Sequence, residues 1–195
     1  MTTTHAVTPD VATWNRWHEK ESNRLTTQPE EEQFLTRVAP THGQRAVDLG
    51  CGTGEWTRRL GWWGMQVVGY DNSLTAIQKA HAEHATPDVT FELWDVDSEP
   101  IPKDLTPGSL DLVSCRLSLP YFDRQRLLVD AGRWLAPWGT FYAITPIVKE
   151  GQVQDLYHRG LTFAELDALG TGWSTRVTWL VNASHMAIAL TGYGG

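Results

Sequence analysis

The stretch Val47-Asp48-Leu49-Gly50-Cys51-Gly52-Thr53-Gly54 decides the fold of this chain. The apolar run that ends at Leu49 is typical of a strand buried inside a parallel sheet. Glycines then occupy alternate positions, which suits a chain that turns sharply and lets a ligand touch its backbone. Helical spacing begins after Gly54, so the N-terminal N–H groups of the next helix would point towards that ligand. The stretch therefore predicts a strand, a ligand-binding turn and a helix, in that order.

The spacing of these glycines indicates the kind of ligand. The dinucleotide fingerprint is G-x-G-x-x-G, whereas the third glycine here comes one residue early. Asp48, two residues before Gly50, would repel a pyrophosphate but would suit a ligand with an ammonium or sulfonium group, so NAD is disfavoured. The pattern V-D-L-G-C-G-T-G closely resembles motif I of the class I S-adenosylmethionine-dependent methyltransferases. A tight turn with a structural task alone is the other interpretation.

A second acidic residue, Asp71, follows the predicted strand Gln66–Tyr70. In doubly wound folds, an acid about 20 positions past the first strand accepts hydrogen bonds from ribose hydroxyls. Helix capping is the alternative for Asp71, but Asn72 and Ser73 can already cap the helix predicted over about 74–85. We therefore expect Asp71 to bind a ribose.

The resemblance implies further cofactor contacts. Asp95, after the strand Val89–Trp94, would accept from an adenine amino group, and the backbone N–H of Val96 would reach a ring nitrogen. Asp97 could replace Asp95 if the register slips, and Arg116 follows the fourth strand. The cofactor would be S-adenosyl-L-methionine, and its product S-adenosyl-L-homocysteine. The expected cofactor contacts are Asp48, Gly50, Cys51, Gly52, Gly54, Asp71, Asn72, Asp95, Val96 and Arg116.

Length, charge and cysteine count limit the possibilities. A chain of 195 residues fits one domain, residues 1–195. We divide it into an N-terminal lid or extension over 1–28 and a Rossmann-like core over 29–195. The net charge is −7 and no basic stripe suits a phosphate backbone, so we expect no nucleic-acid partner. Two cysteines at strand ends, with no apolar segment suited to a signal peptide or membrane span, indicate a cytoplasmic protein with free thiols and no membrane partner. We predict no metal and leave the oligomeric state open.

Predicted strands and helices alternate along the rest of the chain. An amphipathic helix over about 11–23 precedes a second helix, whose first turn, Glu30–Glu32, is expected to be solvated. The turn Pro137-Trp138-Gly139 leads into the fifth strand, and residues 173–191 form a closing hairpin. Because each parallel crossover needs a covering helix, we predict a Rossmann-like α/β three-layer sandwich with a seven-stranded, mostly parallel sheet. The resemblance implies the strand order 3-2-1-4-5-7-6 with a C-terminal antiparallel hairpin.

One tetrapeptide resembles a different class of methyltransferase. Ser118-Leu119-Pro120-Tyr121 is faintly similar to the N-P-P-Y motif of amino-group methylases that act on DNA bases and protein glutamine. The accepting Asn is replaced by Ser118, and the motif lies out of its usual spacing from the strand. An amino-group methylase of nucleic acid or protein is therefore the least favoured alternative.

Aromatic residues and histidines occur in three segments expected to cover the carboxyl ends of the strands, namely the N-terminal helix, residues 116–122 and residues 146–161. Aromatic walls suit both a flat acceptor and a cationic sulfonium, and a neutral imidazole can act as a general base near pH 7. Packing is the alternative for the tryptophans, and a solvated loop position is the alternative for each histidine. The candidate substrate contacts are Trp14, Trp17, Tyr121 and Tyr157, and the candidate catalytic residues are His158, His18 and Tyr121.

The sequence thus predicts the cofactor better than the acceptor. A sulfonium already carries an activated methyl group, so the enzyme has mainly to hold a nucleophile in line and exclude water. We predict S-adenosylmethionine-dependent methyl transfer to a small, aromatic or otherwise apolar metabolite through an oxygen, nitrogen or carbon atom. The alternative is a cofactor-binding protein, or a cyclase or isomerase that uses the sulfonium charge without methyl transfer.

Overall fold

The computed structural model describes residues 8–20, 24–83 and 86–195. In that part of the chain, seven strands form one sheet in the order β3-β2-β1-β4-β5-β7-β6, which confirms the expected order. The strands are β1 (Arg45–Leu49), β2 (Gln66–Asp71), β3 (Val89–Leu93), β4 (Leu110–Arg116), β5 (Leu135–Pro146), β6 (Trp173–Asn182) and β7 (His185–Tyr193). The helices are α1 (Val11–Lys20), α2 (Gln28–Arg37), α3 (Glu55–Trp62), α4 (Leu74–Ala82), α5 (Arg124–Trp134) and α6 (Phe163–Ala168). The ends predicted for the first and fourth helices, at residues 23 and 85, lie outside the described residues.

Strands β1 to β5 run parallel, and the last two strands reverse direction. β1 pairs with β2 on one side and with β4 on the other, so the glycine turn leaves the middle of the sheet. β7 is antiparallel to β5, and β6 is antiparallel to β7. Antiparallel strands need only a short turn, whereas parallel neighbours need a long crossover. This explains why Ala183 and Ser184 alone join β6 to β7.

The central strands are buried on both faces, as their continuous apolar sequence predicts. Successive side chains of a strand point to opposite faces, so neighbouring residues of β1 enter different cores. Val47 belongs to the cluster that holds Trp134 of α5, and Ala46 belongs to the cluster that holds Phe34 of α2 and Leu60 of α3. Helices therefore cover both faces of the sheet, and the expected three-layer sandwich is confirmed.

Two local predictions are wrong. Pro137-Trp138-Gly139 is not a turn before β5, because β5 already begins at Leu135 and absorbs these residues in an irregular register against β4. Glu30 is not solvated but 2% exposed. Its carboxylate forms an ion pair with Arg116, which lies 86 residues further along the chain. No local pattern predicts a partner at that separation.

The cysteines, the acidic and histidine side chains and the helices of residues 8–20, 24–83 and 86–195 bear on disulfides, metal sites and bilayer spans. Cys51 and Cys115 are both buried, and neither forms a disulfide among the described residues. Within the same residues there is no group of His, Cys, Asp and Glu arranged to hold a metal ion. None of the described helices combines the length and apolar character that a bilayer span requires.

Candidate active site

The glycine turn follows β1 at the carboxyl edge of the sheet. Gly50, Gly52 and Gly54 have φ values of 69°, 54° and 84°, in the left-handed region that glycine adopts without a steric cost. The backbone N–H groups of Gly50 and Cys51 both donate to the Tyr70 carbonyl, at 2.8 and 2.9 Å. These two bonds hold the turn against β2, and the predicted succession of strand, turn and helix is confirmed.

Asp48 supports the turn from inside the protein. It is 1% exposed, and its two carboxylate oxygens accept hydrogen bonds from Thr57 Oγ1 of α3 at 2.7 Å and from Ser114 Oγ of β4 at 2.9 Å. Burial raises the pKa of Asp48 to about 6, against the two hydroxyl donors, which lower it. Asp48 thus ties the end of β1 to two neighbouring elements, and its direct contact with a ligand stays a prediction.

Asp71 ends β2 beside the glycine turn. Its carboxylate accepts hydrogen bonds from the backbone N–H groups of Gly52 and Ser73, both at 2.8 Å. Asp71 is 9% exposed, and burial raises its pKa to about 6 although both N–H donors lower it. Each carboxylate oxygen accepts more than one hydrogen bond, so this group can also take ribose hydroxyls. Asp71 is therefore joined to the turn, whereas a ligand contact of the half-buried Asn72 stays a prediction.

Asp95 follows β3, the strand next to β2. It is half-buried, and its Oδ1 accepts a hydrogen bond from the backbone N–H of Asp97 at 3.1 Å. Asp97 itself accepts from the backbone N–H of Asp123, and burial raises the pKa of Asp97. Val96 is 8% exposed and belongs to the main core cluster. The acids Asp71 and Asp95 thus follow adjacent strands, at the same edge of the sheet.

Arg116 makes contacts within the protein, and its expected contact with the cofactor stays a prediction. Its Nε donates to Glu30 at 2.5 Å, and the rest of its guanidinium donates to the carbonyls of Arg24 and Leu25 at 2.8 and 3.1 Å. Arg116 and Glu30 are 9% and 2% exposed. The pair fastens the residues just before α2 to the end of β4, so Arg116 stabilises the structure at this point.

An aromatic roof, formed by Trp14, Trp17, Tyr121, Tyr157 and His158, joins α1 to two loops. Trp14 meets the Tyr121 ring edge-on with the ring centroids 4.9 Å apart, and Trp17 stacks on Tyr157 at 4.6 Å. The Tyr121 hydroxyl donates to the Tyr157 carbonyl at 2.5 Å. The three segments predicted to cover the carboxyl edge are therefore in contact with one another.

Polar contacts hold α1 against α4, next to Asp71. Asn15 Oδ1 accepts hydrogen bonds from Ser73 Oγ at 2.8 Å and from the backbone N–H of Thr75 at 3.1 Å, at the N-terminus of α4. Lys79 Nζ donates to the carbonyl of His18 near the other end of α1. α1 is therefore fastened to α4 at two points, of which the Asn15 contacts lie next to Asp71, and its action as a lid stays a prediction.

His18 is a weaker candidate for a base than His158. It is 5% exposed, and burial, aided by the charge of Lys79, lowers its pKa to about 4. Its Nδ1 is buried and has no hydrogen-bond partner among the described residues. The imidazole is neutral at pH 7, but its surroundings disfavour the protonated form that a base must become.

His158 lies at the rim of the aromatic roof. Its partner there, Asp155, was not among the residues that the sequence singled out. The Nδ1 of His158 is 3.1 Å from each carboxylate oxygen of Asp155, and the His158 ring meets Trp17 edge-on at 5.7 Å. The spacing D-x-x-H could have indicated Asp155, because aspartate often accepts hydrogen bonds from backbone groups two residues on. No such signal marks Asn15, whose partner Ser73 is 58 residues away.

A cavity of about 420 Å³ lies elsewhere in the molecule. Leu135, Trp173 and Tyr193 line it, at the beginning of β5 and β6 and the end of β7. This is the opposite edge of the sheet from the glycine turn. The cavity is therefore separate from the candidate active site.

The fold and the site define a class of protein. Residues 46–139, which include the glycine turn, Asp71 and Asp95, match the family described as methyltransferase domain. The sheet order is that of the class I methyltransferases, as the resemblance implied. Residues 46–139 are therefore similar to the methyltransferase-domain family, and the chain has the fold of the class I methyltransferases.

Particular relatives add detail. A ubiquinone biosynthesis O-methyltransferase of Methylococcus capsulatus is 28% identical over 135 residues, which cover 67% of this chain and 56% of that protein. A trans-aconitate 2-methyltransferase of Deinococcus radiodurans is 35% identical over 105 residues, which cover 52% of this chain and 38% of that protein. The crystal structure of an S-adenosylmethionine-dependent methyltransferase from Mesorhizobium loti shares the fold, with a TM-score of 0.64 at 23% identity over 83% of this chain and 97% of that one. The chain thus spans about half the length, or less, of these curated relatives.

Proposed function

We propose that this chain binds S-adenosyl-L-methionine and transfers its methyl group to a small molecule. The observation that carries the proposal is the meeting of three features at one edge of the sheet. These are the left-handed glycine turn, the Asp71 carboxylate that accepts from Gly52 within that turn, and Asp95 after the next strand. A glycine turn alone suits many ligands, whereas acids at two successive strand ends suit a nucleoside.

The residues present fit this cofactor. Asp71 and Asp95 are acceptors, as ribose hydroxyls and an adenine amino group require, and Val96 carries a backbone N–H beside them. The aromatic roof supplies ring faces, which attract a sulfonium by about 0.5–2 kcal/mol. When bound, the cofactor supplies an activated methyl carbon.

The chain itself orients the reactants and excludes water. α1, fastened through Asn15 and Lys79, would act as the lid of the site. Holding an acceptor in line with a methyl donor can lower the activation free energy by several kcal/mol. Closure of the site by α1 therefore matters as much as proton transfer. Tyr121 holds the loop that carries His158, since its hydroxyl donates to the Tyr157 carbonyl and accepts from a backbone N–H of the same loop.

The acceptor that we propose is a small, aromatic or otherwise apolar metabolite. Trp14, Trp17, Tyr121 and Tyr157 offer flat apolar walls, and the net charge of −7 argues against nucleic acid as a partner. The names of two relatives, a ubiquinone biosynthesis O-methyltransferase and a trans-aconitate 2-methyltransferase, also refer to small molecules. The two buried cysteines, which form no disulfide among the described residues, support a cytoplasmic location, and we propose no membrane partner.

Calorimetric titration with S-adenosyl-L-homocysteine tests the cofactor site. Asp71→Ala removes the ribose acceptor, and we expect its affinity to fall by about 10- to 100-fold. Asp167→Ala is the control, because it removes an exposed carboxylate that pairs with Arg176. Arg176 lies in β6, the outermost strand on the side of the sheet away from β2 and β3. A folded Asp71→Ala protein with wild-type affinity would contradict the assignment.

A second experiment separates methyl transfer from its alternative. The protein is incubated with a methyl-labelled donor and a small-molecule extract of its source, and labelled products are found by mass. We expect S-adenosyl-L-homocysteine to form only when an acceptor is present. A new product without S-adenosyl-L-homocysteine would indicate a cyclase or isomerase instead, and binding without any product would indicate a cofactor-binding protein.

A further inference from the structure

We propose that Asp155 is a positioning residue, which holds the His158 imidazole so that its Nε2 accepts the proton of a phenolic hydroxyl. The inference rests on the proposed methyl transfer and adds the class of atom that is methylated. The inference is argued from the geometry of the loop over residues 154–160, which contributes Tyr157 and His158 to the aromatic roof.

The Asp155 carboxylate is surrounded by donors from its own loop. Its Oδ1 accepts from the backbone N–H groups of Tyr157 and His158, both at 2.8 Å. The His158 Nδ1 lies 3.1 Å from each of its oxygens. The backbone donors, that of Tyr157 above all, hold the pKa of Asp155 below its usual range. Asp155 is therefore ionised at neutral pH and can only accept.

This contact decides which nitrogen of His158 carries the proton. Because an ionised carboxylate has no proton to give, Nδ1 must be the donor in the neutral imidazole. Nε2 then keeps its lone pair and can take a proton from a substrate. Without Asp155 the ring could adopt either tautomer, and part of the population would present an N–H where the base is needed.

The loop is held on both sides of His158. The Tyr121 hydroxyl donates to the Tyr157 carbonyl at 2.5 Å and accepts from the Arg159 N–H at 3.2 Å. The His158 imidazole contacts the charged Asp155 and the uncharged Trp17 of α1, whose ring centroid is 5.7 Å from that of His158. The imidazole is therefore positioned beside Trp17, one of the walls proposed for the acceptor.

A base of this kind serves only an acceptor that must lose a proton. As the hydroxyl proton moves to Nε2, an oxygen electron pair forms the new bond to the methyl carbon, and the carbon–sulfur bond breaks with its pair left on sulfur. The imidazolium then passes the proton to water, since the side chains of His158 and Asp155 are 71% and 61% exposed. A carboxylate oxygen is already ionised at neutral pH and needs no base. Together with the aromatic walls, this favours a phenol.

Nitrogen NMR of the full chain labelled at histidine reads the tautomer directly. His158→Gln assigns the signal, and we expect the neutral His158 ring to be protonated at Nδ1. Asp155→Asn keeps an oxygen for the backbone donors but presents an N–H group to Nδ1, so the opposite tautomer should dominate. Asp167→Asn removes a carboxylate of similar exposure that pairs with Arg176, and should change nothing. A wild-type ring without a preference for Nδ1–H would overturn the proposal.

Methyl transfer to phenol and catechol, compared with benzoate and benzylamine, tests the acceptor class. We expect the two hydroxyl compounds to be methylated, and Asp155→Asn to lower kcat by about 10-fold while KM and cofactor affinity stay unchanged. The loss is smaller than the roughly 10⁴-fold loss at a buried triad aspartate because these groups face water. Transfer to benzoate or benzylamine alone, or full kcat in Asp155→Asn, would overturn the inference. Failure of the proposed function has another signature, namely no binding of S-adenosyl-L-homocysteine and no methylated product from any acceptor.

Discussion

Arg116→Met would break the tie between the residues before α2 and the sheet. In the wild type the guanidinium pairs with Glu30 and donates to the carbonyls of Arg24 and Leu25. Methionine has a similar length and no donor, so it fills the space without replacing the charge. Glu30 is 2% exposed, and the variant would leave its carboxylate buried without a cation.

The size of the loss follows from that burial. Removing one partner of a buried ion pair costs about 3–5 kcal/mol of the free energy of unfolding. The two carbonyls add little, because Arg24 and Leu25 are exposed and water can replace the guanidinium. In the double variant Glu30→Leu with Arg116→Met no charge stays buried, and its stability should lie within about 1–2 kcal/mol of the wild type.

Urea unfolding of the wild type, the single variants and the double variant measures these differences, provided that the slope m stays constant. Arg124→Met is the matched control, because its partner Glu165 is 42% exposed and such a pair contributes about 0–1 kcal/mol. If Arg116→Met loses no more stability than Arg124→Met, the burial argument is wrong.

The folded double variant also tests the cofactor contact that the sequence predicted for Arg116. Because the structure gives this guanidinium to Glu30 and two carbonyls, we expect the double variant to bind S-adenosyl-L-homocysteine as tightly as the wild type. A loss of about 10-fold or more, equal to about 1.4 kcal/mol, would place Arg116 at the cofactor site.

Two further predictions concern the lid and the glycine turn. Burial, aided by the charge of Lys79, lowers the pKa of His18 from 6.5 to about 4. The buried neutral ring therefore contributes stability that is fully present above pH 6.5. Up to about 3 kcal/mol of this stability is lost as the pH falls towards 4. Between pH 7 and 4, His18→Phe should therefore lose up to about 3 kcal/mol less than the wild type in urea unfolding, and parallel curves would contradict this. Gly54→Ala would hold an alanine at a φ of 84°, which costs about 1–2 kcal/mol, and would put its Cβ 2.5 Å from the buried Phe91 ring. Gly151→Ala is the control, because its φ of 71° carries the same strain but its Cβ would meet nothing within 4 Å. Gly54→Ala should therefore lose clearly more stability than Gly151→Ala. Equal losses in these two variants would refute the packing argument.

The sequence by itself determined the succession of elements and the place of the ligand turn. The run Val47–Gly54 carries a buried strand, a left-handed turn and a helix start in adjacent residues, and each of these depends on local chemistry. Alternating strands and helices then require a covered parallel sheet, and the order implied by the family resemblance is the one observed. The resemblance to methyltransferases is confirmed over residues 46–139, whereas the contacts of individual site residues with ligands stay predictions.

Only the tertiary structure decided which buried polar groups meet. Glu30 was expected in solvent and instead pairs with Arg116, while Asn15, which no motif marks, fastens α1 to Ser73 at the start of α4. The physical reason is that sequence periodicity tells which face of an element is buried but not which distant element covers it. A buried charge or amide is stable only where packing brings a partner within hydrogen-bond distance, and that partner depends on how the whole chain is folded.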